Sequence, residues 1–284
     1  MLRSMKDLQD YAISATDGII GQVKDFYFDD KAWVIRYLVV DTGTWLSSRK
    51  VLISPVAIGE PNWAERILPV SSTKEQVKNS PPIDTDKPVS RQHEIRYMGY
   101  YGYPYYWGGA GLWGGGAYPG TMLPGYSGFG SSPFIADPKA QEAYAREEAA
   151  RHQDDDPHLR SCEAVIDYHI EATDGDIGHI QGLLVDEETW AIRYIVVDTG
   201  NWLLGHQVLI TPQSIQDVRW SDSTVSVKLT RQSVKDAPAY DSAAQLDRQQ
   251  ETGIHEHYGL TGYWAAEEKR KSITRPTQSR EITG

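Results

Sequence analysis

Two Asp-Thr-Gly triplets, Asp41-Thr42-Gly43 and Asp198-Thr199-Gly200, each follow a Val-Val pair. Two carboxylates so placed can share one proton and activate a water, one as base and one as acid. That would be the chemistry of a bilobal aspartic hydrolase with Asp41 and Asp198 as its pair. The flanking residues weaken the match, because Thr44 and Asn201 stand where Ser or Ala is usual and Trp follows each. An Asp and a Gly at a strand end also close a turn, the carboxylate accepting backbone N–H groups. The turn reading is preferred, and no catalytic residue is assigned.

Other chemistry-bearing patterns fare no better. Gly109, Gly111 and Gly114 fit the spacing of a dinucleotide loop. That loop needs a strand before it and a helix N-terminus after it, and here Tyr and Pro precede while Gly and Pro follow. His152 to His158 and His255-Glu256-His257 offer imidazoles and carboxylates, but without Cys partners or zincin spacing. Asp174 and Asp176 lack the remaining ligands of a calcium loop. Cys162 has no matched His and reads as an idle thiol. The expectation is a chain with no metal, no cofactor and no enzymatic activity.

The elements that hold these residues come in two copies. Tyr11-Ala-Ile-Ser-Ala-Thr-Asp-Gly18 matches Tyr168-His-Ile-Glu-Ala-Thr-Asp-Gly175, and the offset of 157 residues persists without a gap. Trp33 to Leu46 matches Trp190 to Leu203, and Val51 to Pro55 matches Val208 to Pro212. Of the nine Trp residues, eight fall into four pairs, and Trp113 alone is unmatched. A period this long means tandem domains rather than a solenoid.

Each copy reads as β. Asp17-Gly18 and Asp174-Gly175 are turn dipeptides, and Gly21 and Gly178 mark bends in the strand that follows. Residues 20–28, 34–40, 51–54 and 67–70 are predicted strands, with 225–229 in the second copy. Residues 34–40 are apolar on both faces, so this strand is expected to be covered on both sides. Arg36 and Arg193 interrupt the equivalent strands and need carboxylate partners, with Asp25, Asp29 and Asp41 as candidates for the first. A docking contact to another protein is the alternative for both.

After each copy comes an aromatic hook, Arg91 to Trp107 and Arg248 to Trp264. Tyr100, Tyr101, Tyr103, Tyr105, Tyr106, Trp107 and the unmatched Trp113 form the candidate partner-binding surface, since Tyr and Trp make interface hot spots at low entropic cost. Packing of the hooks on the copies themselves is the competing reading.

Composition narrows the partners. A net charge of −11 argues against nucleic acid and against anionic lipid as main partners. The single Cys162 allows no internal disulfide, which fits a reducing compartment. Residues 1–10 lack an apolar run, so no signal peptide is expected, and no direct membrane insertion either. The expected location is cytoplasmic, or peripheral at the inner membrane through a partner.

The motifs together resemble one family. Asp17-Gly-Ile-Ile-Gly21, Trp33 to Gly43 and Lys50-Val-Leu-Ile-Ser-Pro55 look like a PRC-barrel domain, and the second copy resembles it equally. The family includes the cytoplasmic domain of the photosynthetic reaction centre H subunit and the C-terminal domain of a ribosome maturation factor. The resemblance implies an all-β chain of two tandem small β-barrels that pack on each other, joined by a Gly-rich linker. Residues 1–107 hold the first barrel with its hook, 108–160 the linker, 161–264 the second barrel with its hook, and 265–284 a disordered tail. The implied function is a non-enzymatic adaptor that docks on a larger cytoplasmic or membrane-associated complex. An accessory role in photosynthetic or other electron transport is the second reading.

Overall fold

The computed structural model describes residues 1–83, 89–107, 109, 111–122, 158–200 and 206–265. Most of the expected linker, its acidic cluster at 152–157, Asn201 and the expected tail lie outside the described residues.

The first half opens with β1 (Leu2–Ser4) and a single helical turn, α1 (Met5–Leu8). Then come β2 (Ala12–Ala15), β3 (Gly18–Asp29), β4 (Val34–Asp41), β5 (Lys50–Ile53) and β6 (Ile67–Pro69). Two helices follow, α2 (Lys74–Lys78) and α3 (Arg91–Tyr101). The second half repeats the order with β7 (Leu159–Ser161), β8 (His169–Ala172), β9 (Gly175–Asp186), β10 (Ile192–Asp198) and β11 (Gln207–Ile210). It continues through β12 (Ile215–Arg219), β13 (Thr224–Val227), α4 (Arg231–Lys235) and α5 (Arg248–His257).

The chain is therefore mostly β with a few helices. The purely β expectation fails at the hooks, whose first halves are α3 and α5. Each is capped at its start: the Ser90 hydroxyl accepts from the His93 amide and the Asp247 carboxylate from the Gln250 amide. The strands form two sheets, ordered β5-β4-β3-β2-β6 and β11-β10-β9-β8-β13-β12. Both paths are open, so the expected closed barrels are absent among the described residues. Only the isolated bridges Ile58–Val70 and Asn62–Ile67 extend the first sheet past β6.

The central strands obey the sequence pattern. Val34 to Val40 are all buried, as a strand apolar on both faces must be. Gly21 sits where β3 crosses the end of β4, and an added Cβ would be driven into the Asp41 carbonyl oxygen. Gly178 meets the Asp198 carbonyl in the same way. The bends are thus close approaches of backbone to backbone.

The two sheets exchange strands. β1 pairs with β9 of the second sheet, Leu2 opposite Asp186 and Ser4 opposite Leu184. β7 pairs with β3 of the first sheet, Leu159 opposite Asp29 and Ser161 opposite Tyr27. The two exchanges are the same contact at the repeat offset. Each arm is held by side chains too. Arg3 pairs with Glu187 at 2.7 Å and lies 3.6 Å over the Trp63 ring. Arg160 pairs with Asp30 at 3.1 Å and lies 4.3 Å over Trp220. The second arm has an extra tie, because Ser161 donates to Asp25 at 2.5 Å where the other sheet has Gly182. A continuous apolar core runs through both halves, from Leu8, Ile13 and Phe28 to Ile170, Leu183 and Val225.

Candidate functional site

The two Asp-Thr-Gly triplets close turns. Asp41 accepts from the Gly43 amide at 2.8 Å and Asp198 from the Gly200 amide at 2.7 Å. Gly43 and Gly200 have φ of 57° and 55°, the left-handed region that glycine tolerates. The two carboxylates stand on different sheets and each serves its own turn. Asp17 and Asp174 hold the following helices, accepting from the Lys74 amide at 2.8 Å and the Arg231 amide at 2.7 Å.

The most concentrated chemistry lies beneath the hooks. In the first half, Arg36 is 2% exposed and pairs with Asp29 at 3.3 Å. Of its three candidate partners, the structure selects Asp29. Arg36 also donates to the Leu112 carbonyl at 2.6 Å. Its guanidinium lies 3.7 Å over Tyr106 and 4.8 Å from the Trp113 ring. Glu94 of α3 is fully buried and accepts from Tyr106 and from Tyr37, the latter at 3.5 Å. Arg91 reaches Glu94 at 2.9 Å and covers Trp107 at 4.1 Å. His158 Nε2 lies 2.9 Å from a Glu94 carboxylate oxygen, without the alignment of a hydrogen bond.

The second half repeats the cluster. Arg193 pairs with Asp186 at 3.2 Å and lies 3.8 Å over Tyr263. Glu251 accepts from Tyr194 at 3.0 Å and Tyr263 at 2.6 Å, and Arg248 covers Trp264 at 4.4 Å. Glu94 and Glu251 keep the repeat offset, a signal the sequence reading left unused.

Electrostatics mark these clusters as locks. Burial pushes the Tyr37, Tyr97 and Tyr106 phenols well above their ordinary value, so they stay protonated donors. Burial opposes charge on Asp29 as well. The Arg36 guanidinium and the amides of Ala32 and Lys31 overcome it and hold the carboxyl below 3.8. Burial raises the Cys162 thiol, so it stays unreactive.

The residues expected to form a docking surface lie as follows. Arg36, Tyr106 and Trp113 are buried inside the chain. Arg193 is enclosed by Asp186, Thr189 and Tyr263. Tyr101, Tyr103, Tyr105 and Trp107 are half-buried against the core. Trp113, expected to be free for others, donates its indole N–H to the Thr189 carbonyl of the second half at 2.8 Å. It has no Trp counterpart at the repeat offset, and it bridges the two halves. Tyr100 alone of the set is exposed, its hydroxyl donating to the Gln76 carbonyl at 2.8 Å.

Ile19 and Trp45 are exposed large apolar residues at the start of β3 and after β4, 49% and 37% accessible. Trp45 donates to the Ile20 carbonyl, and Lys74 of α2 stands 5.5 Å from its ring. Tyr100 meets the same helix at Gln76. The second half has Asp176 in place of Ile19.

A PRC-barrel domain spans residues 5–77. The PRC-barrel match covers β2 to β6 with α1 and most of α2, and includes Ile19, Trp45 and Lys74. No curated protein matches the chain. Beside the PRC-barrel domain, neither the described histidines nor Cys162 assemble a metal centre. No group of three or more His, Cys, Asp or Glu is placed to hold an ion among the described residues. His255 is buried among rings, while His257 meets the Ser233 carbonyl at 2.7 Å. No helix among the described residues is long and apolar enough to cross a membrane.

Proposed function

We propose that the chain is a non-enzymatic adaptor, built from two copies of the PRC-barrel module, that docks on a larger protein assembly. The second copy is supported by the shared element order, the constant offset and the reciprocal arms. The observation that carries the docking role is the exposure of Ile19, Trp45 and Tyr100, the last two meeting α2 at Lys74 and Gln76. Large apolar side chains grouped on a surface are what interface hot spots are made of. The polar clusters beneath the hooks are spent on the fold and leave this face to meet a partner. The resemblance to the H subunit's cytoplasmic domain supports a partner in a membrane complex.

The test is a crosslinked pull-down of the full chain from membrane and soluble fractions, run beside Trp45→Ser and Ile19→Asp. The second variant installs the residue of the second copy. One defined complex recovered by the wild type and reduced about tenfold or more by both variants supports the proposal. Its fraction tells whether the partner is a membrane complex. Equal recovery by all three forms overturns the docking surface.

A further inference from the structure

The two hooks differ at one buried position. Met98 of α3 and His255 of α5 correspond at the repeat offset, and both are buried, at 0% and 2% exposure. Met98 suits its place, since a thioether asks for no hydrogen bond. His255 is boxed by three rings, with centroids 4.9 Å away for Trp264, 5.9 Å for Tyr194 and 6.2 Å for Tyr263. Neither ring nitrogen makes a hydrogen bond of good geometry. Two of the three rings belong to the hook itself, so the hook is what seals the imidazole from water.

We propose that His255 is an acid-sensitive latch: protonation of its ring frees Tyr263 and Trp264 from the second sheet, while the first hook, with Met98, stays closed. The surroundings are hostile to a cation. Arg193 and Tyr194 face the ring from β10, and Arg248 shares its helix. Glu251 stands one turn earlier on the same helix, but Tyr194, Tyr263 and Arg248 already engage it. Asp186 of β9 is held by Arg193. Leu2, Tyr240, Leu246 and Tyr258 pack against the neighbouring apolar cluster of Tyr194 and Ile254.

The direction of the effect follows. Burial is the largest influence and holds the ring below its ordinary 6.5; the Thr261 backbone opposes it, and Arg248 and Arg193 add to it. In the open hook the ring is solvated and titrates near that ordinary value. The closed hook is thus favoured above pH 6.5, and opening grows as the pH falls below it. One linked proton permits at most about a tenfold rise in opening per pH unit.

The test is hydrogen exchange by mass spectrometry on the full chain at about pH 7.5 and about pH 5.5, with rates corrected for intrinsic exchange. The expected result is a several-fold loss of protection in Gly259–Ala265 on acidification, with Gly102–Trp107 unchanged. His255→Met should keep the protection and lose the pH response, and Met98→His should transfer the response to the first hook. His255→Gln, also neutral at both pH values, serves if the Met variant folds poorly. An acid response that persists in the neutral variants, that appears equally in both hooks, or that is absent from the wild type overturns the latch.

Discussion

The amide of Ile35 donates to the carbonyl of Trp190 across 2.8 Å, and Ile192 returns the bond to the carbonyl of Trp33 at 2.7 Å. The four residues are two pairs at the repeat offset, so the contact marks a two-fold relation between the halves. Trp33 and Trp190 both have positive φ, 54° and 58°, where a bulky residue is uncommon. Their turns are held by Asp29 and Asp186, which accept two amides each. The same carboxylates hold Arg36 and Arg193, and through them the hooks.

This relation should keep the halves associated once the chain between them is cut. A protease site placed between residues 131 and 150 and then cut should leave both halves in one particle at micromolar concentration. Size-exclusion chromatography with light scattering would read it. Separation into two species would mean that the exchanged arms hold only at the high effective concentration a linker supplies.

The edge of β5 is sealed by one phenol. Tyr97 accepts from the Ser54 amide and donates to the Leu52 carbonyl, both at 3.1 Å. Tyr97→Phe leaves both groups buried and unpaired, and should cost about 1–3 kcal/mol in urea melts. The second half has Ile254 there and seals β11 with the backbone around Ala239 and Tyr240 instead. Ile254→Val should therefore cost only about 0.5–1.5 kcal/mol.

Gly21→Ala and Gly178→Ala should each destabilise by about 1–3 kcal/mol or more, because the methyl meets a neighbouring backbone carbonyl that cannot step aside. Gly99→Ala is the control: the site is open, helical and has ordinary φ, so stability should hold or rise by about 1 kcal/mol. Thermal melts of the three variants decide it.

Asp29 supplies a pH signature. Its carboxyl titrates below 3.8 in the folded chain, so its contribution is present above that value and is lost as the pH falls through the folded pKa. Asp29→Asn should flatten the stability profile in that acid range while lowering stability near neutrality. Arg36→Met strands the carboxylate and should cost about 3–5 kcal/mol near neutral pH, less in acid. A profile identical to wild type in Asp29→Asn would remove Asp29 from the acid response.

The strands were legible because their pattern is local. Val34 to Val40 announced burial on both faces, and the paired glycines announced close approaches. Asp29 stood among the three partners named for Arg36, and only the turn geometry could select it. The arms were not legible as strands, since Leu-Arg-Ser is too short for any period. Their identity at 2–4 and 159–161 was nevertheless in view as an extension of the repeat. The hook helices were hidden by their aromatic and glycine content, although Ser90 and Asp247 stand at cap positions. Trp113 read as linker because its neighbours are glycines. Its partners, Arg36 and Thr189, lie 76 or more residues away and leave no local trace.

The exchanged arms also set an order of events during synthesis. Arg160, which ties β7 to β3, meets Asp30 130 positions earlier in the chain. At about 5–20 residues per second, the first sheet emerges several seconds before the strand that completes it. Until then the edge of β3 at Tyr27 to Asp29 is unpaired and open to other chains. The second sheet has no such wait, because its missing strand, β1, is made first. The nascent chain is thus most vulnerable to mispairing in its first half, and release from that state comes only when Leu159 to Ser161 are in place.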